Sequence, residues 1–412
     1  MAAAAAGGVG ADMGAMMRKT FGLLMLTALA APASAFDFKP LLQADARAGH
    51  ETEASTAQDN FAWDGQLFFL PSLGFGSAGS FLPLFAYLRD DRDVVVEEDS
   101  MTVERDTFLA RPLYRYSLSP SLDLKAWGSA KRAVTLESYQ VAWSEGLYDY
   151  EEYGGGVGVT YKRPGKDLTS ADLGLELLHR GYPNWHESGV SLTAGANYYD
   201  KDYDGTKLTL SLAGPGGPGW GWHSDWTYLY RGYTDALLED INGFQPGTSR
   251  EDQFIFSESH LTWMAGAWTA DLDLELTANL SNENYIDTSA AQYMSGFYDF
   301  ESELLGPSIT YAPRGPAGPS LILGLSILNR TYLSPGGKTG RLIRNDDGTY
   351  AQADEADVEQ RYHIDGGIPL GAGLSLVGNA DYTVVQSNQS VIGTYRPAYD
   401  LFRFDLGLRY RL

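Results

Sequence analysis

Two histidines in this chain sit two residues from an aspartate: His223 with Asp225, and His363 with Asp365. In an extended strand that spacing puts both side chains on one face, where a carboxylate can orient an imidazole as a general base. No nucleophile motif accompanies either pair, and a charged surface produces such neighbours readily, so no catalytic residue is expected and the chain is read as a non-enzyme. A third constellation, Asp200-Lys201-Asp202-Tyr203-Asp204-Gly205, opens like a calcium loop, with oxygen ligands at alternate positions before a turn glycine. Its twelfth position is Ser211 rather than a bidentate Glu, which excludes an EF-hand. What remains is a weak calcium site of Asp200, Asp202 and Asp204, against the plainer reading of a solvated acidic turn. The chain contains no cysteine, so it has neither a disulfide framework nor a thiolate metal site. No cofactor is expected beyond divalent cations at acidic loops.

Charge and hydropathy say what kind of element must carry these groups. The formal charge is −23 over 412 residues. Such acidity argues against nucleic acid as a partner, because phosphate binding needs basic patches. Beyond residue 60 the sequence alternates. Leu272, Leu274, Leu276, Ala278 and Leu280 interleave with Asp271, Asp273, Glu275, Thr277 and Asn279. Trp220, Trp222, Trp226, Tyr228 and Tyr230 share a face opposite His223, Asp225 and Arg231. A period of two over about ten residues, with apolar and charged sides kept apart, describes a strand with one greasy face. No apolar run after residue 35 reaches the roughly 20 residues of a membrane helix, so entry into a membrane requires a β-barrel.

The N-terminus reads as an export signal. Arg18-Lys19 precede FGLLMLTALAAPA, and Ala33-Ser34-Ala35 follows as a small-x-small site, which predicts cleavage before Phe36. Residues 1–16 look like an upstream start extension, since Met17 already begins a compact signal. Residues 36–60 are expected to form a periplasmic or plug segment, and 61–412 the barrel.

Connection lengths supply the topology. Tight or Pro/Gly-rich junctions occur at SPS 119–121, PGKDLT 164–169, GPGGPG 214–219, AGA 265–267, PRGPAG 313–318 and LGA 370–372. Between them run long acidic stretches such as EGLYDYEEY, NYYDKDYDG and NDDGTYAQADEAD. Alternating short and long links fit a closed, antiparallel, up-and-down transmembrane β-barrel with short periplasmic turns and long acidic extracellular loops. With a single strand placed in Phe61–Arg89, the count is about 14 strands; that stretch has room instead for one strand plus an internal plug, or for an extra hairpin.

The last segment, YDLFRFDLGLRYRL, puts Phe402, Phe404, Leu406, Leu408, Tyr410 and Leu412 on one face and Arg403, Asp405, Arg409 and Arg411 on the other. It resembles the C-terminal assembly signal of bacterial outer-membrane proteins, carried here by Phe404, Leu406, Leu408, Tyr410 and Leu412. It departs from that signal by ending in Leu rather than Phe or Trp. WSEGLYDYEEYG and RGYPNW are similar to segments of large Tyr-rich barrels of Gram-negative bacteria. The resemblance implies an outer-membrane location in a Gram-negative cell. Its implied partners are the barrel-assembly machinery, membrane lipid and lipopolysaccharide, whose anionic leaflet would call for cations at the acidic loops.

If the apolar face meets lipid, the other lines a lumen. Expected basic lining residues are Arg111, Arg115, Lys125, Lys162, Arg330, Arg361, Arg403 and Arg409; expected acidic ones are Asp271, Asp273, Glu275, Glu301 and Glu303. Walls of opposite sign suit a porin-like channel or passive transporter for small polar solutes. The alternatives are a sealed barrel serving as a surface anchor or docking component of an envelope complex, and a hydrophobic-substrate transporter with an N-terminal hatch.

Overall fold

The computed structural model describes residues 36–53, 58–75, 79–96, 99–136, 148–163, 169–184, 201–240, 243–287, 292–315, 318–334, 336, 338–345, 347–389 and 398–412. The signal 1–35, its cleavage site and Asp200 lie outside them.

The described residues form strands β1 (Phe36–Lys39), β2 (Leu42–Glu53), β3 (Gln58–Phe69), β4 (Ser72–Phe75), β5 (Gly79–Val96), β6 (Asp99–Ser119), β7 (Leu122–Leu136) and β8 (Tyr150–Lys162). There follow β9 (Ser170–Gly181), β10 (Tyr203–Gly217), β11 (Trp220–Asp240), β12 (Gly243–Ala265), β13 (Trp268–Ser281), β14 (Asn284–Asp287) and β15 (Gln292–Ser295). The chain ends with β16 (Phe300–Tyr311), β17 (Ser320–Tyr332), β18 (Leu342–Arg344), β19 (Tyr350–Asp354), β20 (Ala356–Gly371), β21 (Leu374–Ser387) and β22 (Tyr399–Arg411).

Each long strand pairs antiparallel with its sequence neighbours, and β2 closes the ring by pairing with β22 from Gln43↔Arg411 to Glu53↔Leu401. The result is a closed barrel of 16 strands, two more than the expected 14. The difference lies at the N-terminal end. Residues 36–60, expected as a periplasmic or plug segment, instead supply β2 and the start of β3. The stretch Phe61–Arg89, assigned one strand, carries the rest of β3, the short β4 and much of β5. The remaining short strand, β1, pairs with β4 at the turn end of β5.

Alternation then sorts the side chains. On β13, Leu274 is 43% exposed and Leu276 52%, while Asn279 and Ser281 on the alternate face are buried. The outward band is bordered toward the turns by Tyr114, Tyr116, Tyr161, Trp220, Trp263, Trp268 and Tyr311, all exposed. Two pairs meet across strands with tilted rings, Trp268 with Tyr311 at 4.6 Å and Trp220 with Trp263 at 6.2 Å between ring centres. Rings with a polar edge settle at a headgroup boundary, so this ring of aromatics marks one edge of the hydrocarbon band. The C-terminal residues Phe404, Leu406, Leu408 and Leu412 all project outward and are exposed, with Tyr410 in the same phase.

At the other end the loops carry structure of their own. The β14–β15 and β18–β19 hairpins are tied together by Tyr350 Oη, which donates to Asp287 Oδ2 at 2.7 Å. Lys338 Nζ donates to Asp299 Oδ2 at 2.8 Å, and that carboxylate is fully buried. Gln389 extends the clasp to the next loop, its side chain accepting from Arg344 N and donating to Arg344 O, both at 2.9 Å. Burial, reinforced by the Asp287 carboxylate, pushes the Tyr350 phenol well above its ordinary range.

Candidate functional site

The inner face is defined by register. Starting from Gln43, Asp45, Arg47, Gly49 and Glu51 on β2, the pairings carry one phase around the whole ring and return to Arg403, Asp405, Gly407, Arg409 and Arg411 on β22. Every basic residue expected in the lumen falls in this phase.

Most of these cations are ion-paired. Lys162 Nζ lies 2.6 Å and Arg115 Nε 3.8 Å from Asp123 Oδ2, a carboxylate that is 1% exposed and also accepts from Ser117 Oγ at 2.7 Å. Lys125 pairs with Asp172. Arg361 reaches Asp381 at 2.9 Å, and Arg409 reaches Asp45 at 2.7 Å. Arg403 bridges Asp64 and Asp405, the latter at 2.7 Å. Arg330 lies 5.4 Å from the ring centre of Phe300. Apart from Asp405, these carboxylates were not singled out in the sequence, yet each occupies the same alternating phase as its base and was legible on that ground.

Arg111 is held differently. Its guanidinium stands 5.4 Å from the Trp127 ring centre, and Trp127 lies over a floor of glycines. A Cβ on Gly156 would meet the indole at 2.4 Å, one on Gly174 at 3.0 Å and one on Gly158 at 3.2 Å. The run Gly154-Gly155-Gly156-Val157-Gly158 thus keeps that stretch of wall open for a flat ring.

The acidic lining divides. Asp271, Asp273 and Glu275 lie in the inward phase. Glu301 and Glu303 do not: they share the outward phase of Leu305 and Ile309 and are exposed. They sit at the loop end of β16, where the outward face leaves hydrocarbon and tolerates charge. In their place the inner wall gains Asp225 and Glu258, the register aligning Asp225, Glu258 and Glu275 in one row across β11, β12 and β13. The next row is His223, His260 and Asp273. His260 Nδ1 lies 2.5 Å from Asp273 Oδ1 and its Nε2 2.8 Å from Glu258 Oε1. His223 Nε2 is 3.3 Å from Asp225 Oδ1, and the two imidazoles stack with centres 6.2 Å apart. Asp271 Oδ1 accepts from Thr262 Oγ1 at 2.7 Å. His363 and Asp365 also face inward, on β20, with His363 lying over Gly324.

The calcium-like run is split by the fold. Asp202 Oδ1 accepts from Tyr182 N at 2.6 Å, whereas Asp204 lies outward on β10 beside His179 Nδ1 at 2.9 Å. Among the described residues no group of three or more acidic or imidazole side chains is arranged to hold a metal ion.

No protein-family model and no curated protein matches the chain. Its backbone is similar to solved structures of OccAB1 from Acinetobacter baumannii (11% identity, 91% of this chain and 97% of that one, TM-score 0.47) and the outer membrane protein OpdK from Pseudomonas aeruginosa (10%, 91% and 99%, 0.46). A further similar structure is that of OccK2 from Pseudomonas aeruginosa in complex with glucuronate, at 12% identity over 91% and 98% of the two chains, with a TM-score of 0.45.

Proposed function

We propose that this chain is an outer-membrane channel through which small polar solutes pass in a Gram-negative cell, exported by an N-terminal signal cleaved before Phe36. One observation carries the reading: a closed ring of 16 strands presents apolar side chains outward and ionisable ones inward. Barrels of roughly this strand number are wide enough to leave an aqueous path, and a charged lining favours polar solutes over apolar ones. The imidazoles are held among carboxylates that set the charge of the wall, an arrangement suited to passage rather than catalysis. Lipid would surround the outward band and the assembly machinery would engage Phe404, Leu406, Leu408, Tyr410 and Leu412. Divalent cations at the acidic loops would relieve repulsion beside lipopolysaccharide.

The pairing of Asp123 with Lys162 and Arg115, beside Lys125 with Asp172, favours a second reading. In it, paired side chains close the lumen near the turns and the loops are the working surface of an anchor. Recording from the purified protein in planar bilayers separates the two. Ohmic current steps are expected; silence at high protein load would sink the channel.

A further inference from the structure

Toward the turns, the wall formed by β11, β12 and β13 carries carboxylates that are answered by imidazoles and, among the described residues, by no Arg or Lys. Asp225, Glu258 and Glu275 stand directly across from one another, an arrangement of like charges that is unfavourable between paired strands. Asp273 and Asp271 continue the acidic surface toward the turns. From the flanking strand β10 the inward residues at this level are Ala213, Ser211 and Thr209, and from β16 they are Ser308, Gly306 and Leu304. All are neutral. Lys207 on β10 lies four residues beyond Ser211 toward the loops, opposite Leu229. At this level the basic groups of the wall are therefore His223 and His260, set between those carboxylates, while Arg231 on β11 and Arg250 on β12 lie nearer the loops, where Arg250 pairs with Asp252. On the other walls the carboxylates Asp45, Asp64, Asp123, Asp172, Asp381 and Asp405 are each answered by Arg or Lys.

We propose that this wall is the charge-discriminating track of the lumen, favouring cationic solutes, and that protonation of His223 and His260 retunes that preference with pH. The inference rests on the channel reading. Imidazole is the side chain whose charge changes between about pH 5 and pH 8. Acidification thus adds positive charge among five carboxylates while leaving the paired Arg and Lys elsewhere unchanged. A permeating ion within about 8 Å of the wall senses the change at physiological salt.

The experiment is a reversal-potential measurement on the processed full-length protein in planar bilayers, with potassium chloride at unequal concentrations on the two sides. For the native sequence, the potassium-to-chloride permeability ratio should fall at least about twofold from pH 8 to pH 5. The His223→Gln/His260→Gln double variant should lose the pH dependence. The His363→Gln variant, altered on a different wall, should keep it. Glu258→Gln should lower the ratio already at pH 8, which tests the wall without touching either histidine. Conduction with a pH-independent ratio in the native protein, or a fall that persists in the double variant, overturns this inference and leaves the channel reading standing. Absence of any conductance overturns both. Folding of each variant is checked by its heat-dependent electrophoretic mobility, and His260→Gln alone, with about half the native fall expected, replaces a double variant that does not fold.

Discussion

Exchanging the same side chain into two adjacent positions of β13 tests the face assignment directly. Leu274 points outward and is 43% exposed, whereas Glu275 points inward, opposite Glu258. Leu274→Arg would place a guanidinium among exposed apolar neighbours, Leu276 on its own strand and Leu305 on β16. An arginine on the lipid face costs about 2–4 kcal/mol near the bilayer midplane, and that is the loss expected here. At about 1.4 kcal/mol per factor of ten, the folded population relative to unfolded should drop by roughly 30- to 700-fold. Glu275→Arg enters a wet, acidic wall and would gain partners in Glu258 and Asp273; its expected cost is below about 1 kcal/mol. Equilibrium unfolding by denaturant in lipid vesicles, followed by tryptophan fluorescence, reads both values. Costs equal to within about 1 kcal/mol would refute the separation of faces on which the lumen rests.

Three other perturbations probe distinct features. Gly156→Val should force Trp127 off its bed, costing about 1–3 kcal/mol by overpacking and shifting indole emission; an unchanged spectrum and stability would contradict the glycine floor. Asp123→Ala should leave Lys162 and Arg115 without their shared carboxylate and destabilise the barrel by about 1–3 kcal/mol in denaturant titration, with a smaller effect at high salt. Tyr350→Phe removes the hydrogen bond to Asp287 and should hasten proteolysis within residues 333–355 at neutral pH. Because the folded phenol titrates above its free value, the native clasp is intact below about pH 10 and weakens as pH rises through the raised value. Native cleavage should therefore accelerate at strongly alkaline pH, while the Phe variant shows no such step.

The alternation that defines the barrel was plain wherever outward positions are large. Leu274, Leu276, Phe404 and Leu406 announce their strands because lipid rewards bulk on one face. β2 was obscure because its outward side chains are Ala44, Ala46, Ala48, His50 and Thr52, too small or too polar to register as greasy. The error in strand count follows from that. Glu301 and Glu303 were misplaced because charge was read as inward everywhere, whereas strands of 12 to 23 residues include ends that lie beyond the apolar band. The inward phase of the basic residues was legible from alternation alone. Their pairing was not, because which acid faces which base depends on registers between strands far apart in sequence, as in Arg409 with Asp45. The histidine row is the clearest case: His223 was visible beside Asp225, but nothing local tied either residue to His260 or Glu258.

The seam between β2 and β22 imposes an order on biogenesis. Hydrogen bonds there join β2 to β22, the two barrel strands farthest apart in sequence, so every intervening hairpin can form while two raw edges still wait for each other. A polypeptide cut short by even its last strand would keep β2 and β21 unzipped in the membrane.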